Sequence, residues 1–385
     1  MGSLGYSYSK LVNLDLAVSE ETSESFSTVA EQLLRFCPNL EILKLAGFAN
    51  SLQKRIPHIL TRLRYLNFNA CDEEAPEPIS MRSQATAHLE QAVSSNGGNG
   101  IEKLLAFSSN GEDTVPLIQA YRTSIQVMDL YMTKYRRTWN SFSQIGILDK
   151  LWYLGIYQWK DDGSSVIAAL ARQCPNLMRL ELETGILGQH ACTAIAKLDN
   201  LTYLRLCDIQ NTNASYLLTI LRGIASRSRG IKKTRRAPKT LETIHLDGTP
   251  STTDDVLQAV SEIATLRAIR IMPGSDINRS LTERGITQFF QNLQSHPSIK
   301  RLDLMGIEQV TSSNFKYLRG IKSLKHLGIL DLNNINLPDI KGFSSELVWS
   351  VSSCFGDEDE DGLEYLDTLR HDDHEELYFR YPTSL

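Results

Sequence analysis

Apolar residues recur along this chain at one local spacing, Leu-x-x-Leu-x-Leu, and the second half of each copy alternates apolar with polar. The spacing reads Leu11, Leu14, Leu16, then Leu40, Leu43, Leu45, then Leu63, Leu66, Phe68. Further copies begin at Ile101, Ile125, Leu151, Leu177, Leu201, Leu241, Leu266, Ile299 and Leu327. Alternation with period two, as in Leu43-Lys44-Leu45 or Leu302-Asp303-Leu304, predicts a short strand with one buried face. Between copies the period lengthens to that of a helix. Phe26, Val29, Ala30, Leu33 and Leu34 form one stripe. Val166, Ile167, Leu170 and Ala171 form another, and so do Val256, Leu257, Val260, Ile263 and Ala264, with Thr253 or Asp254 as N-cap. Each copy is thus one strand and one helix, and strands joined by such crossovers lie parallel.

Twelve copies from Leu11 to Leu327 give a mean period of about 29 residues, within the range of leucine-rich repeats. The predicted fold class is α/β, a leucine-rich-repeat solenoid. Helices are bulkier than strands, so the array should bend into a horseshoe with parallel strands on the concave face and helices on the convex face. A single strand–helix unit buries too little to fold alone, so neighbours must share one core. Residues 1–345 form this solenoid, with insertions at 72–100 and 222–240 where the spacing stretches. Extra residues in a repeat map to loops. Residues 346–385, with only the weak match Leu363-x-x-Leu366, read as a degenerate cap followed by an acidic tail.

Composition adds limits. The chain has 42% hydrophobic residues but no apolar run long enough for a membrane span. Its start, MGSLGYSYSKLVNLDL, lacks the basic and apolar regions of a secretory signal. The 6 cysteines have no paired spacing, which suits reduced thiols in a cytoplasmic or nuclear protein. The net charge of −5 hides an asymmetry. Residues 222–239 hold 8 Lys or Arg and no acid, whereas residues 357–376 hold 11 Asp or Glu against one Arg. The basic loop, with Arg227, Arg229, Lys232, Lys233, Arg235 and Arg236, suits an import signal or a polyanion contact. Nucleic acid is disfavoured as a partner because no aromatics interleave these cations and the rest of the chain is not basic.

Two junctions carry a resemblance. Cys37-Pro38-Asn39-Leu40-Glu41-Ile42-Leu43-Lys44-Leu45 and Cys174-Pro175-Asn176-Leu177-Met178-Arg179-Leu180-Glu181-Leu182 resemble the cysteine-containing repeats of F-box/LRR proteins, and His296-Pro297-Ser298-Ile299 is a looser copy. The long, irregular period is similar to that of fungal F-box-type and ribonuclease-inhibitor-like arrays. The resemblance covers roughly residues 8–340. It implies a protein–protein interaction module acting in substrate recognition for a cullin–RING ubiquitin ligase. No segment resembles an F-box. Asn, usual at the ninth place of such repeats, occupies it in none of the copies, and Cys does so only at Cys71. Those turns therefore need other hydrogen-bond partners. A horseshoe with an acidic tail also resembles Ran-type GTPase-activating proteins, which implies a different role; a repeat-only scaffold is a further alternative. The Asn-rich turn that carries the activators' arginine has no counterpart here.

The third, fifth and seventh places of each copy should line the concave face. They supply Tyr65, Phe107, Tyr131, Tyr153, Tyr157 and Tyr203 in the middle, and Arg179, Arg205, Arg270 and Arg301 with Glu181, Glu183, His245, Asp247 and Asp303 further on. Aromatics flanked by Arg are the usual anchors of protein interfaces. The expected partner is a protein held on that face, with ubiquitin-ligase components among the candidates and no membrane. No nucleophile motif, phosphate loop or Cys-x-x-Cys is present. His371-Asp372-Asp373-His374 reads as solvated tail rather than a metal site. The chain is therefore expected to be no enzyme and to need no cofactor or metal.

Overall fold

A computed structural model describes most of residues 8–70, 100–131, 139–159, 163–210, 213–229, 240–274 and 281–330, together with 348–352. The chain divides into two compact units, Met1–Leu241 with Thr249–Ser251, and Glu242–Gly248 with Thr252–Leu385.

The first unit carries β1 (Asn13–Ala17), β2 (Ile42–Phe48), β3 (Tyr65–Ala70), β4 (Lys103–Phe107), β5 (Val127–Tyr131), β6 (Tyr153–Tyr157), β7 (Arg179–Ile186) and β8 (Tyr203–Gln210). Each pairs in parallel with the next. The second carries β9 (Thr243–Asp247), β10 (Ala268–Met272), β11 (Arg301–Met305), β12 (His326–Leu330) and β13 (Val348–Ser352), also parallel in chain order. Helices α1 (Ser23–Arg35), α2 (Gly111–Tyr121), α3 (Gly163–Gln173), α4 (Gln189–Ile195), α5 (Ala214–Arg229), α6 (Asp254–Ser261), α7 (Glu283–Gln294) and α8 (Ser312–Phe315) lie between strands. This is an α/β leucine-rich-repeat solenoid.

Register explains why the phrase has its form. The fourth places align as Leu43, Leu66, Leu104, Met128, Leu154, Leu180 and Leu204, and the sixth as Leu45, Phe68, Ala106, Leu130, Ile156, Leu182 and Leu206. All are buried. Each later strand starts two residues after the first leucine of its copy, and the N–H groups of the second and third places donate to one carbonyl of the preceding copy. Glu41 and Ile42 use Val12, Arg64 and Tyr65 use Glu41, and Arg267 and Ala268 use Glu242. The Asn of the Cys-Pro-Asn-Leu junctions extends this ladder: Asn39 Nδ2 donates to Ser9 O at 2.7 Å and Asn176 Nδ2 to Asp149 O at 2.7 Å. Helices add their apolar stripes, Val166, Ile167 and Leu170 in α3 or Ile286, Phe289, Phe290 and Leu293 in α7. Thr253 is the N-cap of α6, and Asp254 instead accepts from Thr282, the N-cap of α7, at 2.9 and 2.6 Å.

Four expectations change. The twelfth copy begins at Leu324, not Leu327, because β12 starts at His326 and pairs Leu302 with Leu327 and Leu304 with Ile329. A thirteenth strand follows within 346–385, placing Trp349 beside Leu327 and Val351 beside Ile329. Phe26 and Val29 of α1 are exposed; Ala30 and Leu34 alone of that stripe are fully buried. Finally, Arg222, Arg227 and Arg229 lie on α5 rather than in a loop, because Leu217, Ile220, Leu221, Ile224 and Ala225 continue a buried helical stripe past them. The insertion at 72–99, the basic residues Lys232, Lys233, Arg235 and Arg236, and the acidic tail lie outside the described residues.

Five of the described ninth places hold a large apolar group or Thr in place of Asn, while Gly185 and Gly274 occupy two others. Phe48, Trp159, Ile209, Thr249 and Ile307 are all buried there. Trp159 Nε1 donates to Ile186 O at 3.0 Å, and Thr249 Oγ1 to Leu206 O at 3.3 Å, so these turns recover partners. The eighth place takes positive φ in six copies, inside the strand in β2, β7 and β8 and just past its end in the others. Gly47, Gly248 and Gly306 sit there, and so do Gln158 (57°), Thr184 (55°) and Asp208 (49°). Glycine adopts this region freely; a β-branched threonine does not.

Candidate protein-binding face

Third, fifth and seventh places point away from the apolar rows, as strand alternation requires. In the first unit the third places align as Tyr65, Lys103, Val127, Tyr153, Arg179 and Tyr203. The fifth align as Asn67, Leu105, Asp129, Gly155, Glu181 and Arg205, and the seventh as Asn69, Phe107, Tyr131, Tyr157, Glu183 and Cys207. Most of the residues singled out in the sequence therefore meet on adjacent strands.

The aromatics are not open to a partner as expected. Tyr65, Tyr131, Tyr153 and Tyr157 are all more than nine-tenths buried, and Tyr203 is half-buried. Their rings and hydroxyls are used internally. Tyr131 and Tyr157 stack with centroids 4.6 Å apart. Tyr157 donates its hydroxyl to Asp129 Oδ1 at 3.1 Å and lies 3.1 Å from the Tyr153 hydroxyl. The side chain of Phe107 is outside the described set.

Asp129 is the centre that the sequence did not reveal. It is buried, and burial pushes its carboxyl up to about 6, helped by the Glu181 carboxylate; Lys103 and the tyrosine hydroxyls oppose the rise. Burial likewise raises the hydroxyls of Tyr153 and Tyr157 well above their ordinary value, with the Asp129 charge adding to it. Gly155, beside Asp129 in register, creates the space: a Cβ there would overlap Asp129 Oδ1 and the Tyr157 ring. The same device recurs in the second unit, where Gly328 stands beside Asp303 and a Cβ would strike its carboxylate. The polar fifth place in Val127-Met128-Asp129-Leu130-Tyr131, followed one copy later by Gly155, was the available signal.

The arginines keep an exposed edge on this face, whereas Lys103, Glu181, His245, Asp247 and Asp303 are buried. Arg179 lies between two aromatic rings, its guanidinium carbon 4.0 Å from the Tyr203 centroid and 5.5 Å from that of Tyr153. Its Nε donates to Glu181 Oε1 at 2.7 Å. Burial lowers its proton affinity, but Glu181 and the two tyrosines outweigh that and the net shift is upward. Arg205 reaches Glu183 Oε2 at 3.4 Å and Glu181 Oε2 at 3.7 Å. About a quarter of each arginine side chain remains exposed, 25% for Arg179 and 28% for Arg205. In the second unit Arg270 pairs with buried Asp247 at 3.1 Å and Arg301 with Asp303 at 2.8 Å. Arg227 is elsewhere, at the end of α5, donating to Leu198 O at 3.1 Å; the side chain of Arg229 is not among those described.

Among the described residues no His, Cys, Asp or Glu cluster could hold a metal, and no helix is long and apolar enough to cross a membrane. Burial raises the thiols of Cys37, Cys174 and Cys192, the last to about 12, which leaves them inert as nucleophiles.

No protein-family model matches the sequence, and no curated protein matches it. Solved structures similar to the chain include the Rad7 and Elc1 complex in yeast, at 14% identity and TM-score 0.49, covering 87% of this chain and 80% of that one. The TLR13–ssRNA13 complex is similar at 15% identity and TM-score 0.38, covering 82% of this chain and 40% of that one. The fold assignment stands on the chain's own strand register.

Proposed function

We propose that the helix-free face of the sheet in the first unit holds another protein, and that the chain is a binding module rather than an enzyme. The observation that carries this is the held pair Arg179 and Arg205. Each guanidinium is fixed by carboxylates, and Arg179 by two rings as well, yet each keeps an exposed edge. An arginine already ordered in this way loses little side-chain freedom on binding, and arginine is among the residues that dominate interface energies. The junction resemblance to F-box/LRR proteins supports the finer role, substrate recognition within an F-box-type ubiquitin ligase receptor in the cytoplasm or nucleus.

The test is affinity capture from the source cell with the full chain and with an Arg179→Ala/Arg205→Ala variant, read by quantitative mass spectrometry. A set of proteins held by the wild type and lost by the variant is expected, with a cullin or its adaptor among the wild-type captures. An unchanged set would overturn the binding face, and captures without ligase components would overturn the finer role. Accelerated GTP hydrolysis by Ran in the protein's presence would overturn the non-enzymatic reading.

A further inference from the structure

The first copy of the repeat is finished differently from the others. Five of the six large apolar side chains exposed among the described residues belong to it: Tyr8 (53%), Val12 (46%), Phe26 (46%), Val29 (59%) and Phe36 (45%). They are contiguous. Phe26, Val29 and half-buried Leu33 follow one another at helical spacing along α1, Phe36 continues the spacing one residue past its end, and the Tyr8 N–H donates to the Phe36 carbonyl at 2.9 Å, which brings Tyr8 to the end of that stripe. Among the described strands β1 stands at an edge of the sheet. In nearly all later copies the second- and third-place N–H groups donate to a carbonyl of the preceding copy. In this copy those groups belong to Val12 and Asn13, and no strand among the described residues precedes them.

We propose that this edge joins two copies of the chain, β1 to β1 and α1 to α1, about a twofold axis. Three observations select a second copy. Twofold symmetry sets the two β1 edges antiparallel, which lets each satisfy the other's open groups. The stripe on α1 has spacings of three, four and three residues, a sequence that reads the same in both directions. An antiparallel helix pair therefore sets Phe26 against Phe36 of the second copy and Val29 against Leu33. The area is sufficient as well. At the exposures given, the five side chains offer on the order of 400 Å2 per chain, large for a monomer's apolar patch. Doubled and joined by the strand edge, that reaches the low end of stable interfaces, about 1,200 Å2 in total.

Sedimentation equilibrium of the full chain, from about 1 to 100 µM, tests the proposal through mass action. The expected mass rises from 43.3 kDa toward twice that value. Phe26→Asp/Val29→Asp, which alters only exposed positions, is expected to stay at the single-chain mass with an unchanged thermal midpoint at the lowest concentration. A wild type that remains single throughout overturns the proposal, and so does a double variant that still associates.

Discussion

Replacing Asp129 by Asn isolates the least comfortable group on the face. Asn keeps the acceptor for the Tyr157 hydroxyl, now 3.1 Å from Asp129 Oδ1, removes the charge and turns the second carboxylate oxygen into an NH2 donor. In the folded chain this carboxyl stands at about 6, against about 3.9 for a free Asp. A folded value above the unfolded one means that the fold favours the protonated form. The contribution is fully present below about pH 4 and is lost as pH rises through about 6. Two units correspond to roughly 3 kcal/mol, an upper bound because Lys103 gains from the nearby charge.

Wild type minus Asp129→Asn should therefore change with pH, the wild type gaining on the variant by about 1–3 kcal/mol between pH 7.5 and 4.5. Acid effects on carboxylates that do not interact with Asp129 cancel in that difference; Glu181, whose charge acts on Asp129, is the exception. Urea unfolding followed by indole fluorescence is a suitable readout, since Trp152 packs edge-on against Tyr153 with centroids 6.0 Å apart. A difference that stays flat across this range would falsify the burial argument for Asp129.

Two neighbours give further tests. Gly155→Ala should destabilise by about 1–3 kcal/mol, because its Cβ forces apart the buried Asp129 and Tyr157 that face each other there; an unshifted urea midpoint would refute that packing. Thr184→Gly should stabilise by about 0.5–1 kcal/mol, the left-handed strain of about 1–2 kcal/mol outweighing the extra freedom of glycine in the unfolded chain. A lowered thermal midpoint would show that Thr184 makes contacts worth more than its strain.

The buried rows were legible because they depend on a side chain's own chemistry: Leu43 or Leu180 can satisfy its burial only in the sheet core. The register followed from them in eleven copies. It slipped at Leu327 because Leu324, Leu327 and Ile329 overlap with Leu327, Leu330 and Leu332, and period-two alternation alone does not decide between the two frames. The end of the array was missed for a related reason. Trp349 and Val351 lie in a copy whose first place is Glu346, so the phrase lacks its leading apolar residue. What Tyr153 and Tyr157 do was not legible either. Whether a strand tyrosine faces solvent or leans on a neighbour depends on the adjoining copy, here on the empty volume above Gly155. Stripe arithmetic on α1 failed likewise, since Phe26 and Val29 fit the helical period but have no preceding helix among the described residues to bury them.

Copies six to eight gather several departures from local preference. Gln158, Thr184 and Asp208 hold the left-handed turn that glycine takes at Gly47, Gly248 and Gly306, at about 1–2 kcal/mol each. The same copies hold Gly155, Glu181 and Arg205 in one row, next to a buried carboxyl whose ionised form the fold disfavours at neutral pH. A solenoid is close to a sum of its repeats, so any one copy is free to give up stability while its neighbours keep the array folded. Departures from local preference gathered in three consecutive copies are therefore not needed for folding, and such strain concentrates where a surface serves a ligand. Those are also the copies that hold Arg179 and Arg205, which is why the proposed contact is assigned to them and not to the equally charged pairs at Arg270 and Arg301.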